Sequence, residues 1–193
     1  MSLNCNEILS SDIYKDCSVP AMAGIEVNVT VVPLKYSKYD YSFNSNGVLT
    51  YFEPQTIGVT FRIEGIKQAQ GVSFELIKKE DSFDTYKHSF SGVILTPSAE
   101  NKKSLQQLNS GEPYILFVEK KWKGMNLNDA FEVLGWDAGL YMQEVNWNTK
   151  ESDGIIKFVM ATAEGSEETN LPCNFSLGTY VQTKNWIDTK FNP

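Results

Sequence analysis

The sequence predicts a mostly β protein, an antiparallel β-sandwich or barrel with one packed α-helix. Three observations carry this reading. Apolar and polar residues alternate through many short segments, the period of a pleated strand. Aromatic residues reach 12% and fall inside those segments. The strand-like runs follow one another without alternating helices, which argues against a parallel α/β sheet. The 193 residues suit a single domain. We expect an arm over residues 1–24 and one β-rich domain over 25–193, with a hairpin extension at 35–53.

The elements follow in order. Ile25, Val27, Val29 and Val31 share one parity and define a first strand to Leu34. Lys35 to Phe43 and Gly47 to Phe52 form a hairpin around Asn44-Ser-Asn-Gly47, because Asn-Gly supplies positive φ values. Ile57 to Ile66 alternates cleanly, and Val72 to Lys78 and Phe83 to Thr96 also read as strands. Ser98 is the expected N-cap of a helix that carries Leu105 and Leu108 on one stripe and ends at Gly111. That stripe is narrow, so the helix must lie on a sheet. Tyr114 to Lys121 is a strand. Phe131 to Trp147 is too long for one, and Gly135 and Gly139 are expected to bend or split it. Gly154 to Ala163 follows, then an acidic loop over Glu164 to Asn170. Phe175 to Ile187 is expected to add a last strand.

Charge narrows the function. The net charge is −7, and no run of Lys and Arg exceeds two residues, which disfavours gripping nucleic acid. No apolar stretch approaches ~18 residues, so no transmembrane helix is expected. The first residues lack the pattern of a signal peptide. Cys5, Cys17 and Cys173 are too scattered for a disulfide scaffold or zinc site and are expected to be reduced thiols.

A nucleophile–histidine system would have to run through His88, the single histidine, which lies in an alternating aromatic strand and is expected to be structural. Glu80-Asp81 and the Glu164, Glu167, Glu168 group lack the spacing of a calcium loop. Phosphate-binding loops are absent. We expect no enzyme, cofactor or metal. Two carboxylates suffice for a glycosidase, and Trp122, Trp136, Trp147 and Trp186 are the residues of a possible sugar platform. The alternative reading is therefore a carbohydrate-binding β-sandwich module.

The order of elements from Ser98 onward is more specific. A short helix ends at Gly111, a strand follows, and Gly135 to Leu140 precedes a closing strand that runs to Ala163-Glu-Gly165. A Cys-containing leader ends at Ala23-Gly24-Ile25. This pattern resembles tail-tube-like virion structural proteins of Bacteroidetes phages, including crAss-like phages. The resemblance implies the tail-tube-like form of the sandwich, in a tail-tube or tail/neck ring component that self-assembles, in six- or twelve-fold rings, into a conduit for DNA ejection. It implies other tail and neck proteins as partners, no membrane, no specific nucleic-acid binding, and a place in the virion after assembly in the bacterial host cytoplasm. Tyr36, Tyr39, Tyr41, Phe43, Tyr51 and Phe52 are the expected oligomer interface, since two strands alone are marginal in water. Glu64, Glu132, Asp137 and Glu144 are the expected lumen residues, where acidic groups would repel phosphates.

Overall fold

The fold is that of a computed structural model, which describes residues 23–34, 39–54, 60–65, 69–125, 127–148, 150 and 154–191. They form the strands β1 (Ile25–Pro33), β2 (Tyr39–Phe43), β3 (Leu49–Pro54), β4 (Phe61–Glu64), β5 (Gly71–Ile77), β6 (Thr85–Ile94), β7 (Tyr114–Lys120), β8 (Phe131–Leu134), β9 (Tyr141–Trp147), β10 (Ile156–Ala161) and β11 (Cys173–Phe175), with helices α1 (Ala99–Leu108) and α2 (Tyr180–Lys190). The strands make two sheets. The larger has the order β2-β3-β11-β8-β7-β1-β4 and the smaller β5-β6-β10-β9. Among the described residues every strand pairing is antiparallel except β11 with β3, where Phe175 faces Leu49 in parallel.

One core lies between the sheets. Val29, Val31, Leu116, Val118 and Leu134 of the larger sheet meet Phe90, Ile156, Phe158 and Met160 of the smaller, and α1 adds Leu105 and Leu108. The helix lies on the sheets, as its narrow stripe requires, and Ser98 caps it by accepting the Asn101 N–H. The opposite face of the larger sheet carries a second core, built from Val32, Leu49, Phe52, Ile115, Phe117, Phe131, Val133 and Phe175 under Ile187 and Phe191. The inner strand β7 feeds both cores with alternate side chains and is buried from Tyr114 to Glu119.

Three expectations change. Phe175 to Ile187 is not a strand: only Cys173–Phe175 is, and α2 comes after it. Thr179 accepts the Gln182 N–H as N-cap, and Tyr180, Thr183, Ile187 and Phe191 recur at helical spacing, the period that decides the matter. Of the Ile57 to Ile66 strand, Phe61–Glu64 is strand; residues 57–59 and 66 lie outside the described residues, as does the arm through residue 22. The hairpin turn places only Gly47 at positive φ (74°), while the Asn44 side chain accepts the N–H groups of Asn46 and Val48. It is thus a turn closed by one left-handed glycine, and the pairing shifts register between Ser42 and Phe43.

The hairpin packs against its own chain. β3 joins β11, and the rings of Tyr41, Phe43 and Phe52 meet Trp136 edge-on at 5.0, 5.8 and 5.8 Å. Phe52 is fully buried and so belongs to the core of its own chain. Tyr41 and Tyr51 stay exposed on its surface. Tyr36 lies outside the described residues, and for Tyr39 the structure gives only its place opposite Pro54.

Candidate assembly surface

Among the described residues the smaller sheet has two open edges, β5 and β9. Pairing register defines its faces. Val72, Phe74 and Leu76 of β5 stand opposite Phe90, His88 and Tyr86 of β6, so they lie on the face that carries the core. Val145 and Trp147 of β9 stand opposite Phe158 and Ile156 and share that face. Yet Phe74 is 54% exposed, Leu76 47%, Val145 46% and Trp147 45%. The core-side face thus runs out past the cover of the larger sheet at both edges. Exposed, apolar, unpaired edge strands are sites where another chain adds on.

The other face of this sheet is polar. It presents Glu75 opposite Lys87, Glu144 opposite Val159, and Lys157 opposite Asn146, with Ser73 opposite Ser89. All four charged residues are exposed, and their charges balance.

Of the acidic residues expected to face a lumen, Glu144 alone lies on this polar face. Glu64 is exposed on β4, at the edge of the larger sheet. Glu132 lies half-buried with its carboxylate 3.7 Å from the Lys120 ammonium; burial holds its carboxyl above the usual range despite that partner. Asp137 accepts hydrogen bonds from Thr169 Oγ1 at 2.6 Å and Asn170 Nδ2 at 3.5 Å. Both carboxylates are thereby engaged by their own chain.

His88 is 1% exposed. Its Nδ1 accepts the Gly135 N–H at 3.3 Å, so Nε2 carries the proton and donates to the Asn170 carbonyl at 3.0 Å. Burial pushes its pKa down to about 4, against the Asn170 hydrogen bond and the Asp137 charge, both of which raise it. A neutral imidazole with both nitrogens occupied is a staple between the sheets. Replacing His88 with Asn should preserve assembly and lower stability by about 1–2 kcal/mol, measured by urea denaturation.

Two features were not legible beforehand. Glu168 is also 1% exposed and accepts three backbone N–H groups, from Asp137 at 2.8 Å, Ala138 at 2.9 Å and Gly139 at 3.1 Å. Burial nonetheless holds its carboxyl above the usual range, helped by the neighbouring Asp137 charge. The acidic loop is therefore partly a lock on the β8–β9 turn. Gly135 and Gly139 permit that turn with φ of 71° and 76°; a Cβ on Gly139 would lie 2.5 Å from Pro113. Glu119, on β7, accepts hydrogen bonds from Lys123, from Tyr180 at 2.7 Å and from Lys184 at 2.6 Å. Burial opposes its charge, but the three donors prevail and hold its carboxyl below the usual range. It fastens α2 to the sheet. No sequence signal marks the Glu168 amides or the α2 partners of Glu119, since these are long-range; Lys123 alone is local, four residues on.

The tryptophans do not share a face. Trp136 and Trp186 pack against Phe52, Trp147 lies at the end of β9 with the Lys102 ammonium 3.9 Å from its ring centre, and Trp122 follows β7. Cys173 is a free thiol whose pKa burial pushes up to about 12; Cys5 and Cys17 lie outside the described residues. Among the described residues no helix is long and apolar enough to cross a membrane. Nor does any group of three or more His, Cys, Asp or Glu among them form a candidate metal site. Comparison with known protein families, curated proteins and solved structures finds no match.

Proposed function

We propose that this chain is a non-enzymatic structural protein that assembles with copies of itself into rings, as a tail-tube-like or tail/neck component of a phage virion. The observation that supports the reading best is the four-stranded sheet with two open, apolar-faced edges. Its strand number is even and its pairings antiparallel, so β5 and β9 run in opposite directions. Rotation about an axis near the strand direction then sets β9 of one copy antiparallel to β5 of the next. That contact is heterologous and closes by rotation. It also places Val145 and Trp147 beside Phe74 and Leu76, covering all four. The polar face, with balanced charges, would line the interior and let a polyanion slide without adhering.

Mass photometry and negative-stain microscopy test the assembly. The full chain should form rings or tubes. Phe74→Lys combined with Val145→Lys should leave a folded monomer, because exposed positions usually change stability by less than about 0.5 kcal/mol. Rings that survive both substitutions, or a strict monomer from the unaltered chain at high concentration, would overturn the reading. Rings should also fail to retain duplex DNA at low salt, measured by gel shift. Retention that weakens steeply as salt rises would reveal a basic lining.

A further inference from the structure

Two of the four places where the chain crosses between its sheets touch each other. The β8–β9 turn, 135–140, leads from the larger sheet to the smaller, and the strap 163–172 leads back from β10 to β11. The strap is fixed by the paired backbones of Glu168 and Tyr86, by the Glu168 carboxylate on three turn amides, and by Thr169 and Asn170 on Asp137. His88 binds both crossings at once, the turn through Gly135 and the strap through Asn170. Beside them opens a cleft of about 460 Å³, walled by Phe43, Tyr86, Trp136, Glu132 and Cys173. This arrangement depends on Nδ1 of His88 being an acceptor.

We propose that the cluster is an acid-released latch, in which protonation of His88 frees the strap and the β8–β9 turn while both sheets stay paired. An imidazolium presents an N–H at each nitrogen. The one at Nδ1 would face the Gly135 N–H, donor against donor, and leave a cation in a buried site. The ionisable groups around it are Asp137 of the turn, Glu168 of the strap and Tyr86 of β6 itself, with Glu132 of β8 and Cys173 of β11 bordering the cleft. The Asp137 charge favours the imidazolium; burial opposes it more strongly.

The folded pKa of about 4 lies below the ordinary 6.5. The contribution of His88 to stability is therefore complete above 6.5 and is lost as pH falls through 4. Glu168 has the opposite sign. Its carboxyl is held above its ordinary value, so its protonation in acid does not work against the fold. His88 is the trigger, and Glu168 and Asp137 are the catch. Glu167 accepts hydrogen bonds from Lys79 at 2.8 Å and Thr85 at 3.3 Å, which anchors the start of the strap and limits the opening to residues 168–172.

Hydrogen exchange of the full chain, corrected for intrinsic rates, tests this between about pH 7 and about pH 3.5. Amides 137–139 and 168 should lose protection by about tenfold or more, while β7 keeps its own. In His88→Asn, whose residue 88 does not titrate, their protection should not fall over this range, because Glu168 titrates with the opposite sign. Unchanged protection in the wild type, loss shared equally by β7, or the same acid loss in His88→Asn would each overturn the latch. If that variant does not fold, the imidazole titration seen by nitrogen NMR decides instead: its midpoint must coincide with that of the exchange, and separate midpoints overturn the proposal.

Discussion

Replacing Phe52 with alanine should destabilise the chain by about 3–5 kcal/mol, read as a shift in the denaturation midpoint. The ring lies at the centre of the second core, within 5.3–6.3 Å of Phe117, Trp136, Trp186 and Phe191, and has no exposed surface. Truncation would leave a cavity that rigid neighbours cannot fill, because they come from β7, the β8–β9 turn and α2. Tyr51, next in sequence but on the exposed side of β3, is the control, and its alanine variant should lie within about 0.5 kcal/mol of wild type. A small effect at Phe52 would mean that the hairpin is held from outside the chain after all.

Replacing Glu168 with alanine should cost about 3 kcal/mol, because it removes the acceptor of three backbone N–H groups of a turn, that of Gly139 buried. Glutamine should cost less, since it keeps one acceptor oxygen. The loss should appear first in hydrogen exchange at residues 137–139. Equal stability of the alanine and glutamine variants would show that the amides find other partners.

Much of the fold was legible in the sequence, for local reasons. Parity within Ile25 to Val31 gives β1, and its even and odd faces are the ones that meet different cores. Ser98 and the Leu105–Leu108 pair define α1, cap included. Gly135 and Gly139 do split the long segment, and both sit where L side chains are disfavoured. α2 is masked in the sequence because Phe175, Tyr180 and Val181 look like strand residues by composition. The stripe formed by Tyr180, Thr183 and Ile187 has a polar member, which weakens the helical signal.

The surfaces were less legible, since exposure is a tertiary property. The aromatics of the hairpin form a dense set in the sequence, but Phe52 turns inward and Tyr41 does not. Phe74 and Leu76 read as core by parity, and they do lie on the core face. Only the span of the opposing sheet leaves them uncovered. Glu132 and Asp137 look like free acids in the sequence and are engaged by residues Lys120 and Thr169 from other elements.

The second core has a consequence for synthesis. Its first members in chain order, Val32, Leu49 and Phe52, leave the ribosome well before its cover, which comes from Trp136, Phe175, Ile187 and Phe191. Until that cover emerges, the aromatic side of the hairpin lacks Trp136 and Trp186, two of the rings it packs against. β7 likewise emerges long after β1, the strand it pairs with. Such non-local pairing folds slowly and leaves sticky surface exposed meanwhile. A nascent chain stopped before α2 is therefore the form most prone to aggregate, and a chaperone that shields aromatic strands would raise the yield of finished subunits more than faster synthesis would.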